Sequence, residues 1–274
     1  MTIRLSTSLR IAGTAQASGT YADLASDAEA QLVAAGFADF VGEDTRQFSM
    51  SRREVLPGTL GVVGDSFSAQ DFNDTSTYDY KNADGWITWG LALSGQRLTP
   101  VVRPARGNSR LSAEATAPGV RIANQLSDVI RSPASDVVIM AGINDAFAGY
   151  SLQQITAAYY DVLRQATDAG LRVWLVTQPT MNSSHGSYST DAQGRVFAIN
   201  EWCRQQASAT WARLGLVLVD GAAAAVDASS ATGNWRANGS QDNLHPRNVG
   251  AYWIGKEWAR MLSLYVPDRN ILVS

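Results

Sequence analysis

Five short apolar runs, rich in β-branched residues, recur from Thr59 onward: "TLGVVGD", "RLTPVVRP", "SDVVIMAGIND", "LRVWLVTQPT" and "LGLVLVD". Between them lie longer stretches whose apolar residues repeat at helical spacing, such as "VRIANQLSDVIRS", "SLQQITAAYYDVLRQATDAG" and "DAQGRVFAINEWCRQQASATWARLG". A last one, "NVGAYWIGKEWARMLSLYV", also reads as an amphipathic helix. A strand that is apolar on both faces must be covered on both faces. Alternation with helices therefore predicts an α/β domain with a parallel sheet between helical layers. In such sheets ligands bind beyond the carboxyl ends of the strands, so functional residues are predicted just after each run.

The bulk properties agree with a folded enzyme-sized chain. Of 274 residues, 45% are hydrophobic and 17% charged, enough apolar surface for one medium domain plus a small extra piece. The formal net charge is -3 and no basic stripe is present, which argues against nucleic acid as a partner. No apolar run is long enough to span a membrane. The start "MTIRLSTSLRIAGTAQASG" holds an "AQA" like a cleavage site, but Arg10 and hydroxyl residues interrupt it, so it reads as lacking a signal peptide. The one cysteine, Cys203, lies in a helical stretch and reads as a buried inert thiol.

The first fifty or so residues lack the strand rhythm of the rest. A short helix is predicted from about Ser26 to Ala35, with Gly36 as its stop. "SRREVLPG" reads as a connector, broken at Pro57-Gly58. The predicted division is a small accessory or attachment module over residues 1–52 and a main domain over 53–274. An N-terminal extension with no role of its own is the competing reading.

Polar, glycine-containing punctuation does follow each strand. Gly64-Asp65-Ser66 is either a plain turn, since all three residues form turns, or a device that holds the Ser66 hydroxyl where it can attack. A serine nucleophile needs a base and an orienting group. The chain has two histidines, His185 and His245. His245 follows Asp242 by three residues in "DNLHP", close enough for the carboxylate to fix the imidazole tautomer. His185 sits in a Ser/Gly-rich loop and reads as a surface histidine that touches substrate. Acyl transfer also needs oxyanion donors. Asn144 in "AGIND" and the N–H of Gly107 in "RGNS" stand past two strands, and the Ser66 N–H is a third donor. Asn144 also reads as a helix cap, and Gly107 as an ordinary turn. The Asp65 carboxylate reads as a tie within its turn. No compact metal-ligand cluster is present.

Taken together and in this order, "GDS", a glycine after the second strand, "GIND" and "DNLH" resemble the SGNH, or GDSL-type, hydrolases, over roughly residues 59 to 265. The resemblance implies a three-layer α/β/α sandwich with a five-stranded sheet in the order 2-1-3-4-5, and no metal or organic cofactor. It implies Ser66 as nucleophile, His245 as base and Asp242 as its orienting acid. Ser66, Gly107 and Asn144 would form the oxyanion hole. The sequence departs from the family at Gly107, where an Asn-x-Gly pattern is usual and "RPARGNSR" stands instead.

The implied activity is serine ester hydrolysis. The polar, aromatic stretch "AQDFNDTSTYDYKNADGW" suggests a wall facing sugar, hence a short acyl ester, acetyl above all, on a carbohydrate. Asp65, Tyr78, Trp86 and His185 are the residues expected to border the substrate. A lipase or thioesterase, and a virion structural or glycan-binding protein with an idle site, are the alternatives. The stretch "SGTYADLASDAEAQLVAAGFA" loosely resembles segments that begin bacteriophage and prophage virion proteins. That resemblance implies a virion-associated enzyme acting on bacterial surface polysaccharide, with the N-terminal module making virion or homo-oligomer contacts. A cytoplasmic or exported bacterial esterase is the other reading.

Overall fold

A computed structural model of the chain describes residues 58–69, 71, 85–113, 119–207, 211 and 214–266, together with the backbone of five short strands nearer the N-terminus. The chain divides into two compact units, one built mainly of Met1–Glu54 and the other of Val55–Thr167 and Leu171–Ser274.

In the first unit, β1 (Thr2–Leu5) pairs antiparallel with both β4 (Tyr21–Asp23) and β5 (Ala38–Val41), while β2 (Leu9–Ile11) and β3 (Thr14–Gln16) form a hairpin. The sequence reading assigned no strands here. Strands of three or four residues hold at most two periods of alternation, too few for a pattern to register. The helix expected around Ser26–Ala35 lies outside the described residues, as does most of the expected connector.

The second unit carries the predicted sheet. Its strands are β6 (Thr59–Gly64), β7 (Thr99–Val102), β8 (Asp136–Met140), β9 (Arg172–Val176) and β10 (Leu216–Val219). They are all parallel and ordered β10-β9-β8-β6-β7, which is 2-1-3-4-5 counted from β6. Every residue of β6 and β8 is buried, as continuous apolar runs require. β7 lies at the edge, and this is where Pro100, which has no N–H to give a ladder, can be accommodated.

The described helices are α1 (Ser66–Ala69), α2 (Trp86–Leu93), α3 (Ile122–Arg131), α4 (Ile143–Phe147), α5 (Leu152–Asp168), α6 (Thr190–Ala207), α7 (Gly221–Ala225) and α8 (Asn248–Tyr265). Strand register fixes their layers. Gly61 pairs with Val137, which pairs in turn with Val173, and the Val129 side chain of α3 covers Gly61. Val62 pairs with Val138, which pairs in turn with Trp174, and the Trp174 ring stands 6.4 Å from that of Trp258 on α8. Neighbouring residues along a strand face opposite ways, so α3 and α8 cover opposite faces. α2 packs on α8 through an edge contact between Trp86 and Trp258, 5.5 Å apart. The result is the α/β/α sandwich expected from the sequence. Among the described residues no helix is long and apolar enough to cross a membrane.

Candidate active site

β6 stops at Gly64, and its end is satisfied by side chains. The buried Gln125 of α3 accepts from the Gly64 N–H at 2.8 Å and donates to the Gly64 carbonyl at 3.0 Å. A Cβ on Gly64 would lie 2.7 Å from both the Met140 carbonyl and Ser68 Oγ, so the tight turn that follows needs glycine. Asp65 then closes one helical turn. Its carbonyl accepts from the Ser68 and Ala69 amides, and its Oδ1 accepts from the Phe67 amide at 3.1 Å. Ser66 is thereby the first residue of α1, at the carboxyl end of a central strand.

His245 approaches from the other end of the chain. Its Nε2 lies 2.9 Å from Ser66 Oγ, and its Nδ1 lies 2.7 Å from Asp242 Oδ2. The second oxygen of Asp242 accepts from the amides of Leu244 (3.0 Å) and His245 (2.7 Å), so the acid caps the turn that carries the imidazole. Burial alone would raise the Asp242 carboxyl. The hydrogen bond and charge of His245 and the two amides outweigh it and hold the group at about 2. A carboxylate accepts from Nδ1–H, which leaves Nε2 as the acceptor for the serine proton. The Phe67 ring stands 5.6 Å from the imidazole and 6.3 Å from Trp235, walling the pair on one side.

Two further elements flank the end of β6. α4 begins after Gly142, whose φ of 115° is a left-handed conformation open to glycine. That glycine is the cap. Asn144 lies inside the helix and donates its amide to the Ser109 carbonyl at 3.1 Å, so it is not the capping residue. The loop after β7 runs across the strand end, with the Arg106 amide donating to the Gly64 carbonyl at 3.2 Å. Gly107 lies in this loop, and a Cβ there would meet nothing within 4 Å. Asp145 anchors the same loop by accepting from the amides of Leu111 and Ser112.

The structure thus brings Ser66, His245 and Asp242 into one hydrogen-bonded line and sets Asn144 and Gly107 on the elements beside it. Two expected substrate contacts are corrected. Trp86 is fully buried, donates its indole N–H to the Phe67 carbonyl at 3.0 Å and forms core between α2 and α8. It closes a polar stretch in sequence, but it is also the first residue of an apolar helix. Asp65 is fully buried and faces Gln178 rather than solvent. Tyr78 lies outside the described residues. His185 is half-buried in its own turn, where its Nδ1 accepts from the Ser187 amide at 3.1 Å. Residues 190–194, which follow this turn, belong to α6.

Sequence reasoning missed Gln125, Asp145, Gln178 and Asn182. Gln178 carried a usable signal, a polar residue directly after a buried strand in "LVTQPT". A cavity of about 430 Å³ lies elsewhere, along the edge strand β10 and α8, lined by residues such as Arg172, Asp220 and Tyr265 and by none of the Ser66 group. That cavity's lining brings no serine and histidine together, and volume alone supplies no reactive atom.

The model of the GDSL-like lipase/acylhydrolase family matches residues 62–252. Solved structures similar in fold include the carbohydrate acetylesterase Est24 from Sinorhizobium meliloti, with 14% identity, 75% of this chain and 98% of that chain covered, and a TM-score of 0.56. An acetyl-xylooligosaccharide esterase from Geobacillus stearmophilus matches with 16% identity, 79% and 100% coverage and a TM-score of 0.53. A GDSL-like lipase from Bacteroides thetaiotaomicron matches with 12% identity, 82% and 98% coverage and a TM-score of 0.56. No curated protein matches the chain. With its family match extending from inside β6 into α8, the chain belongs to the GDSL-like lipase/acylhydrolase family and is a carboxylic ester hydrolase.

Proposed function

We propose that the chain is a serine esterase that removes a short acyl group, acetyl in the first instance, from a carbohydrate through an acyl-enzyme. The observation that carries the mechanism is the line Ser66 Oγ, His245 Nε2, His245 Nδ1, Asp242 Oδ2, with contacts of 2.9 and 2.7 Å. Ser66 Oγ attacks the ester carbonyl carbon while Nε2 takes its proton. The carbonyl electron pair moves onto oxygen, where the N–H groups of Ser66 and Gly107 and the Asn144 amide receive it. Asn144 Nδ2 spends one proton on Ser109 and has a second for this purpose. The tetrahedral adduct collapses, the C–O bond to the alcohol breaks, and the alcohol leaves with the proton from Nε2. Water then adds to the acyl-enzyme, giving its proton to Nε2, and collapse restores Ser66 and releases the acid. Asp242 balances the imidazolium in both halves.

Support for an acetylated carbohydrate comes from two structural neighbours described as a carbohydrate acetylesterase and an acetyl-xylooligosaccharide esterase. The test is hydrolysis of p-nitrophenyl esters of rising chain length and of acetylated oligosaccharides by wild type and Ser66→Ala. Loss of roughly 10³-fold or more in the variant, with preference for acetate, supports the reading. Preference for long chains would replace it with a lipase or thioesterase. Equal negligible rates for both proteins on every ester would replace it with a binding protein whose site is idle.

Residues 1–52 are proposed as a separate accessory module that attaches the enzyme to a larger assembly such as a virion. The division of the chain into two compact units supports it. Limited proteolysis should release a stable fragment that begins near residue 53 and keeps full esterase activity. Loss of activity at the first cut would overturn it.

A further inference from the structure

Gln178 stands just beyond β9 and is almost fully buried. Its side-chain amide touches two of the other strand ends at once. Nε2 donates to Asp65 Oδ2 at 2.6 Å, and Oε1 accepts from the Ile143 amide at 2.9 Å. Asp65 immediately precedes Ser66, and Ile143 immediately precedes Asn144. The span is itself fixed from behind. The buried Asn200 of α6 accepts from the Gln178 N–H at 3.0 Å and donates to its carbonyl at 2.8 Å.

We infer that Gln178 is a positioning residue for the esterase reaction, a rigid strut that sets the separation between the Ser66 hydroxyl and the Asn144 amide. The inference rests on the roles proposed above for Ser66 and Asn144. A planar amide suits this place. It presents a donor to a carboxylate on one edge and an acceptor to a backbone N–H on the other, and it carries no charge into the core. The nucleophile turn and α4 share a strand-end pairing, since Gly64 lies beside Met140, but β8 ends there and the next three residues leave the ladder. Past that point the Gln178 amide bridges the two turns directly. A misplacement of about 1 Å between nucleophile and oxyanion donor can cost about 100-fold in rate.

The test compares Gln178→Ala and Gln178→Glu with wild type on p-nitrophenyl acetate. Active sites are counted by stoichiometric labelling with a fluorophosphonate, and folding is followed by thermal unfolding. Gln178→Glu keeps the shape and the acceptor for Ile143 but loses the donor to Asp65, so it guards against a variant that fails to fold. The expected result is a kcat per labelled site lowered about 10- to 100-fold in both variants, with KM changed by less than about threefold. In Gln178→Glu, the ratio of kcat to that of wild type measured at the same pH should rise as pH falls from 8 to 5. One proton then sits between the new carboxyl and Asp65, and the strut is remade. His245 and Asp145 are the other charged groups that act on Asp65, and both are unchanged in this variant. A kcat per labelled site within twofold of wild type, with only the labelled fraction or the melting temperature reduced, would overturn the inference. Ser66→Ala, run alongside, separates the two failures: full activity in that variant would sink the nucleophile assignment itself.

Discussion

Asn182 and Asn243 are joined twice, by the Asn182 N–H to the Asn243 carbonyl at 2.7 Å and by the Asn182 side-chain amide to Asn243 Oδ1 at 3.0 Å. Asn182 Oδ1 also accepts from the Trp235 amide at 2.8 Å. Asn243 lies between Asp242 and His245 with φ of 70°, a conformation that asparagine tolerates better than most residues. The segment after β9 thus holds the turn that carries the proposed acid and base. Asn182→Ala should lower kcat about 10-fold and the melting temperature by a few degrees, as expected for losing hydrogen bonds of about 1 kcal/mol each. Steady-state kinetics and thermal unfolding check both, and an unchanged kcat would detach this contact from catalysis.

Asp242 is held at about 2, so it remains ionised at every pH where the fold is tested above about 4. Asp242→Asn removes the acceptor for Nδ1–H and favours the wrong tautomer. The expected loss in kcat is about 10³- to 10⁴-fold, read against p-nitrophenyl acetate, with the melting temperature near that of wild type. A drop below tenfold would remove Asp242 from the proposed mechanism.

Asp65 and Asp71 move the other way. Burial raises both from an ordinary 3.8 to about 6, against opposing hydrogen bonds from Gln178 and Phe67 to Asp65 and from Thr88 and Gly85 to Asp71. Between those values the folded chain binds these protons more tightly than the unfolded chain. Their contribution is complete below pH 3.8 and is lost as pH rises through about 6, at roughly 3 kcal/mol per group. Denaturant unfolding at pH 4.5, 5.5 and 7 should show this fall, and Asp71→Asn should reduce it by about half. Parallel profiles for variant and wild type would contradict the assignment.

Trp86 is a core residue, so its replacement should be felt in stability and not in substrate affinity. Trp86→Phe should lower the melting temperature by several degrees and leave KM for acetylated oligosaccharides within twofold. Trp86→Ala, which opens a cavity against Trp258, should cost about 3–5 kcal/mol. A large rise in KM with unchanged stability would restore Trp86 to the substrate wall.

The sheet was legible because β6 and β8 are wholly buried runs, β9 and β10 are nearly so, and α3 and α5 between them are strongly amphipathic. Ser66, Asp242 and His245 were legible because their chemistry is scarce: two histidines in the chain, one of them three residues after an acid. The supporting amides were not. Gln125, Gln178 and Asn182 act through partners 61, 113 and 61 residues away, and no local pattern encodes such distances. Trp86 misled for a related reason. The stretch before it in sequence is polar, whereas its environment is supplied by Trp258, far along the chain.

Asp242 and His245 are three residues apart, while Ser66 and His245 are 179 apart. The proposed acid and base therefore travel as a single genetic cassette of four codons, whose internal geometry is written locally by one Asx turn. Only the nucleophile must be delivered across the whole chain, and that delivery is a by-product of closing the sheet. Activity is consequently a stringent reporter of complete folding. A translation product that stops before residue 242 encodes all five strands of the parallel sheet but neither the cassette nor α8, and should be silent, whereas a few nucleotide changes within the cassette should remove the proposed acid and base while sparing the scaffold.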